Sequence, residues 1–432
     1  MKEQHMNDQG RAALLRIFDA AVAAAHPSLR LPPHLPEAPA RGRLLVLAAG
    51  KAAASMAEIA VAHYRDAGFD LSHLRGIAVA RIGYGGEAGP VEVVEAGHPT
   101  PDEAGLAATR RVLALAQEAG PDDLALVLIS GGGSANWVSP AEGIDLAEKQ
   151  AITRALLRSG ADIGEINTVR KRLSRIKGGR LARALVPARV LTLAISDVPG
   201  DAPDVIASGP TVSDTTTSAQ ALAIVERRGI ALSAAARALL EDPANETPKP
   251  GDPAFARAEF RLIARPADAI EAAAEAVRRE GYEPVTLGAD LEGEARDVAQ
   301  AHARLARELR AAGRRAAIIS GGELTVTVRG GGAGGPNQEY ALALAIALDG
   351  TAGICALAGD TDGTDGGVGS PDDPAGALID ETTLARAVAT GLDAKAHLSD
   401  NDSTRFFETL GDLLKPGPTR TNVNDCRIIL VN

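Results

Sequence analysis

Several stretches of this chain bring together residue types that handle anions. In LLVLAAGK, residues 44–51, an apolar strand runs into a Gly50-Lys51 turn and then an Ala-rich helix. Open α/β sheets bind ligands at such places, where strand C-termini meet helix N-termini. The glycine spacing of a P-loop is absent, and Ala52 stands where its magnesium-binding Ser or Thr would be. Lys51 is therefore either a phosphate lysine or a solvated lysine at a helix start. LVLISGGGSAN, residues 126–136, repeats the arrangement: a strand delivers Gly131, Gly132, Gly133 and Ser134, a loop of bare backbone whose amides can face an anion. From Asn167 to Arg183 the chain carries Arg170, Lys171, Arg172, Arg175, Lys177, Arg180 and Arg183 and no acidic residue. Lys171 and Arg175 fall one helical turn apart, which predicts a cationic face for phosphates or carboxylates; a solvated helix face is the plainer alternative.

Acidic residues form a second set. ISDVPGDAPDVIASGPT, residues 195–211, places Asp197, Asp201 and Asp204 just after a strand. Carboxylates there can hold Mg2+ beside bound phosphates, since magnesium takes few protein ligands, or can simply cap turns. Asp197 is the first choice for a metal ligand or base. AGDTDGTDGG, residues 358–367, adds Asp360, Asp362 and Asp365, and fails as an EF-hand because no acid stands at the twelfth loop position. Within SGGELTVTVRGGGAGGPNQE, residues 320–339, Gly330-x-Gly332-x-x-Gly335 formally matches a dinucleotide fingerprint, although a glycine-rich run satisfies many patterns. KPGPTRTNVND, residues 415–425, sets Thr421, Asn422, Asn424 and Asp425 before a final strand.

The elements that must position these residues read as α/β throughout. Leu44 to Leu47, Gly76 to Ala80, Val91 to Glu95, Leu124 to Ile129 and Val190 to Ile195 are short apolar runs bounded by turn chemistry, as in a parallel sheet covered on both faces. A Pro-rich polar segment over 242–258 suggests a division into 1–245 and 246–432. Beyond it come Phe260 to Ala264, a helix over 268–280, Val285 to Leu287, a helix over 291–312, and Ala316 to Ile319. Leu324 to Val328 alternates, which predicts a hairpin with the strand before Gly321-Gly322 and hence a mixed sheet. Cys426 to Val431 is the last strand.

Composition narrows the partners. The 432 residues carry 56 acidic and 45 basic side chains, a net charge of -11, which does not favour nucleic acid. Cys355 and Cys426 match no zinc or redox spacing. No run approaches the ~20 apolar residues of a membrane span, and the N-terminus lacks a signal-peptide profile, so a cytoplasmic location is expected and no membrane partner. The 46 glycines are clustered without a triplet period, which excludes collagen-like chains.

Taken together, GKAA at 50, GHPTPDEAG at 97, SGGGSA at 130, INTVRKRLSRIKGGRLA at 166, SDVPGDAPDVIASGPT at 196, SGGE at 320, NQE at 337, DGTDG at 362 and GPTRTNVND at 417 resemble the class II glycerate 2-kinases, over nearly the whole chain and in the family's order. The resemblance extends to proteins labelled hydroxypyruvate reductase. It implies a Rossmann-like α/β/α N-terminal domain, a smaller mixed-sheet C-terminal domain of MOFRL type, and an active site in the cleft between them. The reaction it implies is ATP-dependent phosphorylation of D-glycerate at the 2-hydroxyl, with ATP and Mg2+ required. Lys51 matches the lysine given transition-state stabilisation in the family. Lys51 and Asp197 are then catalytic. Gly131, Gly132, Gly133, Ser134, Lys171, Arg175, Glu323, Asn337, Asn422 and Asn424 bind substrate or phosphate, and Asp197, Asp201 and Asp360 are metal ligands. One position departs: Pro336 stands where family members often have an arginine, so either Arg329 or Arg420 supplies the charge from elsewhere, or this subgroup manages without it, or activity is altered. An NAD(P)H-dependent hydroxypyruvate reductase and a nucleotide- or glycerate-binding relative with altered catalysis are the alternatives; a homodimer is left open.

Overall fold

The computed structural model describes residues 2–367 and 370–432, with side chains from Asp8 onward. The chain forms two compact units, one of residues 30–263 and one of residues 1–29 with 264–432. This differs from the expected division at 245/246 at both ends. The strand expected to open the second domain is instead the last strand of the first unit's sheet, and the N-terminal helix belongs with the C-terminal residues.

The sheet of the 30–263 unit contains β1 (Leu44–Ala49), β2 (Leu74–Arg81), β3 (Val91–Ala96), β4 (Leu124–Ile129), β5 (Arg189–Ile195) and β6 (Ala258–Ala264), in the order β3-β2-β1-β4-β5-β6. Its first five strands are parallel. Sequence explains the order. The wholly apolar β1 and β4 are buried at every residue and lie in the centre, whereas β3, interrupted by Glu92 and Glu95, and β6, which alternates Glu259 and Arg261 with Phe260 and Leu262, take the edges. The strand order reverses between β1 and β4, the switch point at which open α/β sheets leave a crevice beyond the strand C-termini. Register aligns Ala49 with both Val79 and Ile129, and Ile129 with Ala194. The residues after these ends, Gly50-Lys51, Ser130 to Ser134 and Ser196-Asp197, therefore emerge along one edge.

In the other unit, β7 (Glu283–Thr286), β9 (Ala316–Ser320), β11 (Ile354–Asp360), β12 (Gly376–Ile379), β13 (Leu413–Leu414) and β14 (Asp425–Val431) form a mixed sheet in the order β13-β12-β11-β14-β9-β7. The mixed sheet is as expected, but its source is different. The predicted hairpin after Gly321-Gly322 is absent: β7 and β14 already occupy both sides of β9, and Leu324–Thr325 (β10) pairs in parallel with Gly293–Glu294 (β8). Gly322, at φ +83°, permits the diversion, because a Cβ there would lie 2.2 Å from the Leu291 backbone. The N-terminal helix Lys2–Ala24 buries Leu14, Ile17, Phe18 and Ala21 in this unit, and Thr421 Oγ1 donates to the Ala25 carbonyl at 2.7 Å. Among the described residues no single helix is long and apolar enough to cross a membrane; Asp8–Ala24 and Pro27–His34 reach that composition only as a bent pair, and the first of them is packed as described.

Candidate active site

At the switch point the two glycine turns are locked together. Lys51 N–H donates to Gly131 O at 2.8 Å, and Ala52 N–H donates to Ser130 Oγ at 2.9 Å. A Cβ on Gly50, at φ +117°, would meet Ser130 O at 2.4 Å, so only glycine allows this approach. Gly132, at φ +83°, lies under the His98 ring and the Lys51 side chain; an added Cβ would stand 3.0 Å from His98 Cδ2 and 3.5 Å from Lys51 Cγ. Neither Gly131 nor Gly132 gives its amide to a protein acceptor among the described residues. Lysine, imidazole and two bare amides thus share one place, the kind of surroundings that stabilise charge on a transferring oxyanion.

Ser134 is the hub of a second layer. Its Oγ is 2.8 Å from Ser208 Oγ and receives hydrogen bonds from Arg170 Nη2 at 2.7 Å and Lys177 Nζ at 2.9 Å. Ser208 Oγ in turn donates to Asn167 Oδ1 at 3.0 Å. Ala207 and Ser208 both have positive φ, 50° and 61°, and Asp201 has 55°. Non-glycine backbone of this kind persists only where its surroundings enforce it, and such strain gathers at functional sites.

The basic stretch divides differently from its helical spacing. The helix Ile163–Arg172, started by an Asp162–Glu165 capping box, ends at a Leu173 cap. Arg175 is therefore off the helix and exposed, and it does not share a face with Lys171. Lys171 is a buried structural cation, bonded to Asp204 at 3.2 Å and Asp214 at 3.3 Å. Arg172, also buried, pairs with Asp214 at 2.9 Å and Glu246 at 3.0 Å. Burial alone would raise the Asp214 carboxyl, but the Lys171 and Arg172 charges hold it below the usual carboxylate range. The cations nearest the glycine loop are instead Arg170 and Lys177, with neutral oxygens as partners.

Of the acidic residues, Asp197 and Asp201 follow β5 as expected, and Asp201 Oδ1 is buried with no hydrogen-bond partner among the described residues. Among the described residues no group of three or more His, Cys, Asp or Glu is placed to hold a metal. Asp360, at the end of β11 in the other unit, accepts from Asp362 N at 2.9 Å and shapes its own turn.

The remaining expected residues belong to the 1–29 and 264–432 unit. Asn337 Nδ2 joins two buried carboxylates, Asp365 at 3.2 Å and Asp425 at 2.6 Å. Burial, aided by the nearby Asp425 charge and opposed by amide donors from Asn337 and Gln338, pushes Asp365 up to about 7. Arg427 donates to Gly321 O at 2.7 Å and also holds Asp425, so it fixes the turn that carries the exposed Glu323. Asn422 and Asn424 are buried in the segment before β14, with Asn424 N–H donating to Asn422 Oδ1 at 3.3 Å. The Asp365–Asp425 pair and Arg427 carried no periodicity or spacing by which sequence could join them. The Gly330–Gly335 run is not a phosphate cradle: Gly330, Gly331 and Gly332 give their amides to Asn401 and Asp400, and a Cβ on Gly332 would meet Asp402 Cβ at 2.4 Å. Pro336 opens the helix Pro336–Leu348 at its first position, where a missing amide costs nothing.

Two family models match, "Domain of unknown function (DUF4147)" over residues 13–241 and "MOFRL family" over residues 316–425. The chain is 42% identical over 397 residues to a D-glycerate 2-kinase of Thermotoga maritima, covering 90% of this chain and 91% of that protein. It is 51% identical over 427 residues, 98% of this chain and 94% of the other, to a protein of Agrobacterium vitis described as "Putative hydroxypyruvate reductase". A crystal structure of a glycerate kinase of Thermotoga maritima superimposes with a TM-score of 0.85 at 38% identity, over 99% of this chain and 100% of that one. With both sequence regions, the two-sheet architecture and the switch-point site in agreement, the chain belongs to the class II glycerate 2-kinase family.

Proposed function

We propose that this protein is an ATP-dependent kinase that phosphorylates D-glycerate at its 2-hydroxyl, giving 2-phosphoglycerate and ADP. The observation that carries the reading is the meeting of Lys51 with the Gly131 and Gly132 amides at the β1/β4 switch point. Phosphoryl transfer asks mainly for positioning and positive charge around the phosphate oxygens, and these groups supply both without a reducible cofactor. Lys51 Nζ neutralises charge developing on the transferred group, the loop amides orient its oxygens, and Asp197 accepts the proton of the attacking hydroxyl. Asp201, with an unpartnered buried oxygen, and Asp197 are the residues that would hold Mg2+. An ion bound there supplies further neutralisation of the phosphates, and two carboxylates suffice because magnesium keeps waters and phosphate oxygens as its other ligands.

The test is ADP formation with D-glycerate and ATP, with and without Mg2+, and identification of the product by NMR. Magnesium-dependent ADP release with the phosphate on the 2-hydroxyl is expected. Folded protein that releases no ADP overturns the reading. The name carried by the Agrobacterium relative motivates the reductase alternative; it requires NAD(P)H oxidation with hydroxypyruvate in the absence of coupling enzymes.

A further inference from the structure

Two kinds of buried or half-buried cation cluster around the helix Ile163–Arg172, with Lys149 coming from the preceding helix Leu146–Arg158. Lys171 and Arg172 are matched by Asp204, Asp214 and Glu246. Lys149, Arg170 and Lys177 are not. Lys149 Nζ donates to the Leu173 carbonyl at 2.6 Å, Arg170 and Lys177 donate to Ser134, and none of the three has a carboxylate in ion-pair range among the described residues. Lys149 is 5% and Lys177 1% exposed, and Arg170 Nε is buried with no hydrogen-bond partner among the described residues. An unmatched buried charge is strongly destabilising, and here three of one sign stand together. Burial first, then mutual repulsion, depresses both lysines well below their ordinary range, while burial alone brings Arg170 down to about 10. Lys171 and Arg172, the next two residues of the same helix as Arg170, have this cost offset by acids brought from elsewhere in the chain, so the missing counter-charge points to a ligand.

The space for it is present. A cavity of about 270 Å³ opens beside these groups, with Lys149, Arg170 and Ser134 in its wall, the exposed Arg154 on the following turn of the Lys149 helix, and Val138 and Leu146 as an apolar side. A small carboxylic acid fits this volume, whereas a nucleoside triphosphate would need a pocket of larger, drug-site size. Ser134, which ends the Gly131–Ser134 stretch, lines the cavity, so an anion held here lies against the last residue of the glycine loop.

We propose that Lys149, Arg170 and Lys177 form the subsite for the carboxylate of the acceptor acid, with the cavity-lining Arg170 guanidinium as its fork and Arg154 as its outer cation. The proposal rests on the kinase reading and deepens it: it assigns acid specificity to this cluster and not to Lys171, Arg172 or Arg175. Arg170→Met and Lys149→Met, with Arg154→Ala as a surface variant that leaves the packing intact, test it. Loss of a charge-assisted fork should raise the KM for D-glycerate about tenfold or more in Arg170→Met, and about threefold in Arg154→Ala, with the KM for ATP unmoved. A rise in the KM for ATP alone, or unchanged glycerate KM in folded Arg170→Met and Arg154→Ala, overturns it. Failure of the kinase reading is separable by calorimetry without ATP: if wild-type protein releases no ADP, binding of D-glycerate to wild type that is lost in Arg170→Met still supports the subsite. Equal binding to both, no binding to either, or binding of inorganic phosphate without glycerate overturns it.

Discussion

At the scale of single residues, the chain contains charges whose value depends on who stands beside them. Lys51 lies over Gly132 and beside two amides with no protein acceptor among the described residues. Removing a donor of this kind from a developing oxyanion typically costs about 100-fold or more in turnover. Lys51→Ala should therefore lose about that much kcat with an unchanged melting temperature, and a rate near wild type would remove Lys51 from the chemistry. Asp365 gives a second prediction. Its folded pKa of about 7 lies above that of an unfolded aspartate near 3.8. The folded state then binds more protons between those values, and the group's stabilising contribution, complete below about 4, is lost as pH rises through about 7. His302, buried and lowered to about 4, acts in the opposite sense, since its contribution is lost as pH falls below its ordinary value. The two are separated by a variant: relative to wild type, Asp365→Asn should flatten the pH dependence of denaturant stability between pH 4 and 7 by up to about 1.4 kcal/mol per pH unit. Parallel curves for the two proteins would show that Asp365 does not titrate there.

At the scale of elements, glycines set how near β1 and β4 can bring their turns. Gly132 combines φ +83° with a Cβ position 3.0 Å from the His98 ring. Gly132→Ala adds backbone strain of about 1–3 kcal/mol and displaces His98 or Lys51. It should lower the denaturation midpoint and reduce turnover more than substrate affinity; Gly68→Ala, whose φ is +81° with nothing near its Cβ position, isolates the backbone cost and should leave kcat unchanged. The contrast is read by urea titration together with steady-state kinetics. The same scale explains why spacing misled for the basic stretch. An i, i+4 pair meets only while the helix lasts, and the Leu173 cap ends it before Arg175. The alternating run after Gly321-Gly322 was strand-like in the same local sense, yet both sides of β9 were already taken by strands from elsewhere in the chain.

At the scale of the whole molecule, chain order and unit membership part company. Residues 1–29 belong with 264–432, and Leu14, Ile17 and Phe18 are at most 1% exposed there. At about 1.5–3 kcal/mol for each such side chain, their loss is comparable to the total stability of a typical domain. A chain beginning at Arg30 should therefore lose the cooperative unfolding of residues 264–432 while retaining that of 30–263, as hydrogen exchange of the two units would register; native protection throughout would refute it. The sequence by itself determined the parallel sheet, because continuous apolar runs leave no solvent face. It determined the places of Lys51 and the Gly131 to Gly133 turn, because bare backbone and a lysine at strand ends are local features, and their shared family segments identified the kinases. Only the tertiary structure decided which cations are matched, since Asp214 lies 43 residues from Lys171 in the chain yet bonds to it, whereas Arg170 in the same basic run hydrogen-bonds, among the described residues, only to Ser134. Charge pairing is set by distance in space, and a helix end or a filled sheet edge changes that distance without leaving a periodic mark in the sequence.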